Sequence, residues 1–287
     1  MRLNHTNRFA FFVTNDRSLR GIISMIIHRF SHVLMSSFAA ALVTVTVAAK
    51  DAQKKKYDTP KQPWSAYKVH DMDRPHPKKV KSKKALTTPP PAGAVVLFDG
   101  KNADAFDRAW QVKDGILIAT KHPKPKTRGD VRTKQSFRDL TLHVEWRIPA
   151  GRKIEGQKGG NSGIFLMDRY EIQVQESHTN VTYADGQAAA LYGQVPPSIN
   201  PSAPQGEWQS YDITFKAPVY GADGFEKPAY ITVIHNGVKV HDNQKIYGLT
   251  THRKVAKYPP THPDKAPIRL QWHNDPIEFR NIWVKEL

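Results

Sequence analysis

From residue 94 to the C-terminus the sequence is a succession of short alternating stretches, and this pattern most constrains the fold. Between Leu140 and Ile148, the even positions up to Trp146 are apolar and the odd positions from Thr141 to Arg147 are polar or charged. A period of two is that of a β-strand with one buried face. The sequence shows no amphipathic helix of more than two turns. Many short strands in one domain therefore predict an all-β sandwich or barrel.

Turn residues separate these stretches. Asn236-Gly237 stands between two apolar segments and predicts a two-residue hairpin. Asp168-Arg169 separates Gly163–Met167 from Tyr170–Gln175 and predicts a second tight hairpin. A third is expected across Lys113-Asp114. Thr179–Gln205 is too long for a simple connection, and we expect it to border a functional site.

The N-terminal third has a different composition. Residues 1–24 resemble an extension from an upstream start codon, and residues 25–49 resemble a secretory signal, with a basic region, an apolar run and small residues before Lys50. An N-terminal membrane anchor is the alternative. Residues 50–93 are rich in Lys and Pro and are predicted to be a linker or extended arm, on which Trp64 and Tyr67 are the residues able to dock. We therefore expect a periplasmic or secreted protein.

Charge and cysteine content limit the function further. The chain has no cysteine, so neither disulfides nor a lipidated cysteine can hold it. Of the formal net charge of +17, residues 1–93 carry +12, and the predicted β domain is only mildly basic. No recognition motif accompanies the basic residues, so nucleic-acid binding is not expected. A basic arm is better suited to an anionic surface or polysaccharide.

The stretch from Tyr170 to Glu176 carries polar groups where a strand usually carries packing groups. Ile172 and Val174 share one face, whereas Glu171, Gln173 and Gln175 share the other. A bulge would bring Glu176 to the same face as Glu171. This pattern suggests sugar binding or acid–base chemistry, and a solvated antiparallel face is the alternative.

A set of motifs in fixed order resembles a known family, the bacterial 3-keto-disaccharide hydrolase domain. The resemblance covers roughly 94–287, and Val69-His70-Asp71 resembles the arm that precedes this domain in exported relatives. The motifs are Leu97-Phe98-Asp99-Gly100, Gly129-Asp130-Val131, Glu145-Trp146-Arg147, Gly160-Asn161-Ser162-Gly163-Ile164, Tyr170-Glu171-Ile172-Gln173-Val174, Gly206-Glu207-Trp208-Gln209, His235-Asn236-Gly237-Val238, Leu270-Gln271-Trp272-His273 and Phe279-Arg280-Asn281-Ile282-Trp283.

The resemblance implies an antiparallel jelly-roll β-sandwich of the concanavalin A-like lectin and glucanase type. It also implies cleavage of glycosides whose sugar is oxidised at C3. A C3 ketone acidifies the C2 proton, so a base can form an enolate that expels the C1 leaving group, after which water adds. Such a site needs a base, an acid and a group that stabilises the enolate oxygen.

Four residues are predicted to be catalytic. Glu171 is the first candidate for base or acid, and Glu176 joins it only if the strand bulges. His273 is expected to protonate the leaving group or polarise the ketone. Arg280 is expected to stabilise an enolate or to pair with a buried glutamate. The residues expected to bind substrate are Gln173, Glu145, Asp130, Asn161, Ser162, Gln271 and Tyr192.

Two other functions remain open at this point. Glu171-x-Gln173-x-x-Glu176 is similar to the paired-glutamate strand of jelly-roll glucanases, in which two carboxyl groups act as nucleophile and acid. A non-catalytic carbohydrate-binding module would use the same cleft without turnover. No cofactor is firmly predicted, and the histidines lack ligand spacing, so Ca²⁺ on carboxylates and carbonyls is the only metal considered. Oligomeric state cannot be predicted from the sequence.

Overall fold

A computed structural model describes residues 58–81, 85, 87–124 and 126–287. The predicted N-terminal extension and the predicted secretory signal lie outside these residues. In the described part of the chain, no helix is long and apolar enough to cross a bilayer.

Sixteen strands form in the described residues, and a short 3-10 turn spans Ala184–Gly186. The strands are β1 (Lys78–Lys79), β2 (Val95–Phe98), β3 (Gln111–Lys113), β4 (Ile116–Ile118), β5 (Val131–Phe137), β6 (Leu140–Arg147), β7 (Asn161–Leu166), β8 (Tyr170–Gln175), β9 (Ile199–Asn200), β10 (Gln209–Lys216), β11 (Val219–Gly221), β12 (Gly224–Lys227), β13 (Tyr230–His235), β14 (Val238–Lys245), β15 (Ala266–Leu270) and β16 (Glu278–Glu286).

Two antiparallel sheets make the body of the domain. The larger sheet has the order β14-β13-β10-β6-β16-β4-β3, with β2 also paired to β16, and the smaller sheet has the order β5-β15-β7-β8. The expected β-sandwich of the jelly-roll type is confirmed. Strands β6 and β8 have the predicted alternation because each has one face against the other sheet.

The core lies between the two sheets. Leu142, Val144 and Trp146 from the larger sheet belong to the same buried apolar cluster as Ile172 and Val174 from the smaller one. Within this cluster, the hydroxyl of Tyr211 donates to the backbone carbonyl of Gln173 at 2.9 Å. This hydrogen bond joins β10 to β8 through the core.

The hairpins follow the turn residues, with two shifts. The turn between β3 and β4 is Asp114-Gly115, at φ of 52° and 74°, one residue later than the predicted Lys113-Asp114. Asn236 and Gly237 have φ of 51° and 72°, as a two-residue hairpin turn requires. The hairpin between β7 and β8 turns one residue earlier than predicted: Met167 and Asp168, at φ of 52° and 57°, take the left-handed conformation. The register pairs Leu166 with Tyr170, so the turn includes Arg169 as a third residue.

Two segments outside the sheets pack on the domain. Residues 58–81, predicted as linker or arm, contain buried residues and pair with the domain through β1 and β9, and Trp64 stacks on Tyr247 with ring centroids 4.2 Å apart. The segment between β8 and β10 follows the open edge of β8, where the Leu191 backbone forms a bridge with Ile172. This edge is therefore covered rather than free.

We predict that Tyr211→Phe will destabilise the fold without changing its shape. The substitution removes one of two donors to the buried Gln173 carbonyl, which keeps its bond from the Ala189 N–H at 2.9 Å, and the loss of one buried hydrogen bond costs about 1 kcal/mol. Urea denaturation followed by circular dichroism should show this loss. Tyr230→Phe on the adjacent strand is the control and should change stability by about 0.5 kcal/mol or less. Equal stability of Tyr211→Phe and the wild type would contradict this account of the core.

Candidate functional site

One row of side chains crosses the outer face of the smaller sheet. The strand register places Arg132, Arg269, Phe165 and Glu171 side by side on β5, β15, β7 and β8. Tyr192 extends the row, because its backbone N–H donates to the Glu171 carbonyl at 3.2 Å while Leu191 pairs with the core residue Ile172. Opposed residues of antiparallel strands share a face, so Tyr192 and Glu171 both face away from the core.

Glu171 is an almost fully buried carboxylate in this row, with 5% of the residue exposed. Its side chain lies over Gly163, where a Cβ would collide with Glu171 Oε1. Burial raises the pKa of Glu171 to about 8; the charge of Arg269 lowers it and that of Asp130 raises it. A carboxyl group with this pKa can gain or lose a proton near neutral pH, as acid–base catalysis requires.

Arg269 is the cation closest in register to Glu171. Its Nη1 donates to Asp130 Oδ2 at 2.8 Å, its Nε pairs with Asp168, and its guanidinium lies 3.5 Å from the ring centroid of Phe165. Asp130 also accepts from the Trp272 backbone N–H at 3.0 Å. Both Asp130 oxygens are therefore engaged, and Asp130 fixes Arg269 rather than presenting a free carboxylate.

Amide side chains form the next rows of the same face. With its nitrogen turned towards Glu171, the Gln173 amide donates to Glu171 Oε1 at 3.1 Å and to the Ser162 carbonyl at 2.9 Å. The Gln173 amide oxygen then lies 3.0 Å from the side-chain amide of Gln157. Asn161 donates to the Gln157 carbonyl at 3.0 Å. The Ser162 hydroxyl donates to the Gln271 carbonyl at 2.7 Å and so joins β7 to the chain beyond β15.

A cavity of about 460 Å³ lies beside these amides. Gln157, Lys158, His273 and Asp275 are among the residues that line it. His273 is exposed, and Gln157 connects the cavity to Gln173 and hence to Glu171. A cavity of this volume is large enough for a sugar-sized ligand.

A chain of hydroxyl and imidazole groups borders Glu171 on the other side. The Tyr183 and Tyr192 hydroxyls are 2.7 Å apart, and the Tyr192 hydroxyl is 3.1 Å from His252 Nδ1. Burial lowers the pKa of His252, and the nearby charges of His70, Arg253 and His273 lower it further. These effects favour the neutral form of the His252 imidazole, whose ring centroid lies 5.5 Å from that of His70.

Glu176 does not join Glu171. The β7–β8 pairing runs without a bulge to Gln175, and Glu176 follows the end of the strand. Its carboxylate accepts from the backbone N–H groups of His178, Thr179 and Asn180, at distances from 2.6 to 3.2 Å. The predicted pairing of Glu176 with Glu171 is corrected: Glu176 stabilises a turn, because free backbone donors lie closer to it than Glu171 does.

Arg280 and Glu145 lie on the outer face of the larger sheet, across the core from Glu171. Arg280 Nε donates to Glu145 Oε2 at 2.7 Å, and Trp283 covers His143 on the same face. Burial alone would raise the pKa of Glu145, but hydrogen bonds from His143, Asn281 and Arg280 outweigh it and lower the pKa to about 2. The structure thus corrects the expectation that these two residues share a cleft with Glu171, and gives Arg280 its alternative role as partner of a buried glutamate.

Among the described residues, no group of three or more His, Asp or Glu side chains is arranged to hold a metal ion. The residues that the sequence prediction missed are Arg269, Gln157 and His252. Arg269 had a usable signal, since it is charged between the apolar residues Ile268 and Leu270 of a strand. Gln157 and His252 lie in loops without periodicity, where the sequence offers no comparable signal.

Comparison with known proteins adds a family. Residues 93–285 match the model of the 3-keto-alpha-glucoside-1,2-lyase-like domain. A candidate glycosyl hydrolase from Parabacteroides distasonis ATCC 8503 is 34% identical, with a TM-score of 0.65, over 78% of this chain and 98% of that chain. No protein with a curated description matches.

Two more distant structures share only a general likeness. A second candidate glycosyl hydrolase from P. distasonis is 19% identical, with a TM-score of 0.49, over 68% of this chain and 94% of that one. The alginate lyase Aly36B, solved with an alginate tetrasaccharide, is 10% identical, with a TM-score of 0.39, over 70% of this chain and 98% of that one. We draw no functional conclusion from either.

The two buried glutamates predict opposite pH effects on stability. Between pH 4.5 and 8 the native state keeps a proton on Glu171 that the unfolded chain has lost, so wild-type stability falls as pH rises, by up to about 1.4 kcal/mol per pH unit. Relative to the wild type, Glu171→Gln should therefore become more stable between pH 4.5 and 8. Thermal unfolding across this range measures the difference.

Glu145→Gln is the matched control with the reverse sign. Because the native pKa of Glu145 is depressed, its ionised form stabilises the fold above pH 4.5, and this contribution is lost as pH falls towards 2. The variant should be less stable than the wild type at pH 7, by a margin that shrinks on acidification. A pH-independent offset for Glu171→Gln would contradict the burial of its charge.

Proposed function

The chain belongs to the 3-keto-alpha-glucoside-1,2-lyase-like family, and on this premise we propose that it is a carbohydrate-processing enzyme that cleaves glycosides whose sugar carries a ketone at C3. The observation that carries the proposal is the buried carboxyl group of Glu171 on the outer face of the smaller sheet, which Gln173 and Gln157 connect to a sugar-sized cavity. The sugar would lie over the row formed by Phe165, Glu171 and Tyr192.

The reaction has two halves. The base removes the C2 proton, a C1–C2 double bond forms, and the C1–O bond breaks as the leaving oxygen takes a proton from an acid. The product is an enone and a free alcohol. Addition of water then returns a proton to C2 and places a hydroxyl on C1, which completes a net hydrolysis; release before this addition makes the enzyme a lyase.

Glu171 is proposed as the base. Its burial makes the carboxylate a stronger base than an exposed one, and with a pKa of about 8 it accepts a proton readily from an acidified carbon. The ketone would direct the developing enolate charge towards Arg269, which the pairing with Asp130 holds in place. Gln173 and Gln157 would hydrogen-bond to sugar hydroxyls.

His273 is proposed as the acid for the leaving group. It is exposed on the wall of the cavity, where an aglycone or second sugar would lie, and an imidazole is the commonest general acid in enzymes. Asn161, Gln271 and Tyr192 surround the same face, and of these Tyr192 is the one placed next to Glu171. Ser162 pairs with the core residue Val174 and therefore faces the core, which corrects its expected role in substrate binding.

A two-carboxylate glycosidase mechanism has less support. It requires a second carboxyl group about 5–5.5 Å from the first, and Glu176 is instead bonded to the 178–180 turn. Activity on an unoxidised p-nitrophenyl glycoside would favour that mechanism. Glycan binding without turnover of either substrate would favour a carbohydrate-binding module.

We predict that Glu171→Gln will lower kcat/KM on a 3-keto-glycoside by a factor of 10² to 10⁴, because the variant cannot accept the C2 proton. Wild-type kcat/KM should rise with pH through about 8 as Glu171 ionises. Release of the aglycone, measured over pH 5 to 9, provides both values. A primary kinetic isotope effect with a C2-deuterated substrate on the wild type would show that the pH-dependent step is removal of the C2 proton.

Glu145→Gln is the control for the kinetic experiment as well. It alters a buried glutamate of the opposite face, and at a temperature well below its unfolding midpoint it should keep wild-type kcat/KM within about threefold. Loss of activity in Glu145→Gln with full activity in Glu171→Gln would place the site on the larger sheet and overturn the assignment.

We further propose that the protein acts outside the cytoplasm, on the basis of the predicted secretory signal at residues 25–49. Expression of the full chain in its own host, fractionation and N-terminal sequencing test this. A mature chain that begins near Lys50 in the periplasmic or extracellular fraction is expected. An uncleaved chain in the membrane fraction would support the N-terminal anchor instead.

A further inference from the structure

The arm of residues 58–81 brings a histidine to the candidate site from outside the residues that match the family model. His70 is fully buried although it lies in a segment rich in Lys and Pro. The arm is fixed at several points: Gln62 donates to the Gly193 carbonyl at 2.9 Å, Lys79 donates to the His178 carbonyl at 2.6 Å, and β1 pairs with β9. These contacts hold the arm, and with it His70, against the domain.

Asp185 holds His70 by two contacts. One carboxylate oxygen lies 3.3 Å from His70 Nδ1, and the other accepts from the His70 backbone N–H at 3.1 Å. Gln62 donates to the second oxygen at 3.3 Å. Asp185 is itself fully buried, so arm and domain share one buried polar cluster. A buried cluster of this kind rigidifies the groups that it connects.

The His70 ring packs against all three members of the hydroxyl–imidazole chain. Its centroid is 4.1 Å from that of Tyr183, 4.8 Å from Tyr192 and 5.5 Å from His252. Tyr192 is in turn the residue that the sheet register places next to Glu171. His70 thus contacts the groups that border Glu171 without lining the open cavity.

Two features of His70 are costly for a purely structural residue. Its Nε2 is buried, and no described residue hydrogen-bonds to it. Its backbone has φ of 57°, a left-handed conformation that is uncommon for histidine. Buried unpaired atoms and backbone strain of this kind concentrate at functional sites.

We propose that the arm is part of the active site and that His70, held by Asp185, is a positioning residue that fixes the Tyr183–Tyr192–His252 chain beside Glu171. The inference rests on the proposed function, which locates the site on this face. His70 acts through Tyr192 and His252, and it neither donates nor accepts a proton in the reaction. The arm would then be needed for turnover and not only for stability.

The experiment compares His70→Ala with Trp64→Ala in the full chain. Trp64 stacks on Tyr247 and donates to the Gln194 carbonyl, so Trp64→Ala weakens the arm without altering a residue of the hydroxyl–imidazole chain. At a temperature well below both unfolding midpoints, His70→Ala should lower kcat on a 3-keto-glycoside at least tenfold while KM changes less than threefold. Trp64→Ala should keep kcat within threefold of the wild type. Asp185→Asn should lower kcat, as His70→Ala does.

A second measurement does not depend on turnover. NMR titration of the His252 imidazole should show an apparent pKa in His70→Ala that is higher than in the wild type, because the variant removes part of the burial that lowers it. Trp64→Ala should leave the His252 titration as in the wild type. Assignment of the His252 signal comes from its loss in His252→Gln.

The outcomes separate this inference from the proposed function. A wild type without activity on any 3-keto-glycoside would defeat the proposed function, and the His252 titration would then decide on positioning alone. Equal losses of kcat in His70→Ala and Trp64→Ala would overturn the inference, because His70 would then act only by holding the arm. An unchanged His252 titration in His70→Ala would overturn it too.

Discussion

The burial of one carboxylate, that of Glu171, is the constraint on which the candidate site depends. A charged carboxylate away from water is unfavourable, so the carboxyl group keeps its proton to a pKa of about 8. Its surroundings match this requirement: Gly163 leaves the space, Gln173 supplies a donor, and the 189–192 backbone covers the strand edge. Each of these features would be unnecessary on a solvated sheet face, where a glutamate needs neither space nor a fixed partner.

The two outer faces of the sandwich shift the pKa of a buried glutamate in opposite directions. On the larger sheet, Arg280, His143 and Asn281 surround Glu145 and keep it ionised, which is the usual arrangement for a buried charge that stabilises a fold. On the smaller sheet, Arg269 is already paired with Asp130 and Asp168, so it compensates the Glu171 charge only in part. One face thus gives a permanently charged network, and the other gives a carboxyl group able to exchange a proton.

The alternation of side chains predicted the sandwich and the outward direction of Glu171 and Gln173, because the period of a strand is a local property. It could not predict which sheet each strand joins. Arg280 and Glu145 alternate as clearly as Glu171 does, yet β6 and β16 belong to the other sheet, and only the long-range pairing decides this. His70 and His252 were beyond prediction for another reason: they lie in segments without periodicity, and contacts across more than 100 residues bring His70 to Asp185. The position of Glu176 could not be predicted either, because the backbone N–H groups of the 178–180 turn bind its carboxylate and no sequence pattern indicates such a turn.

The location of the substrate is the central claim, and a crystal structure of Glu171→Gln soaked with a 3-keto-glycoside tests it most directly. We expect a sugar over the Phe165–Glu171–Tyr192 row, with C2 within about 3.5 Å of the substituted side chain and the aglycone towards His273. A sugar bound on the larger sheet near Glu145 and Arg280, with the smaller-sheet face empty, would contradict it.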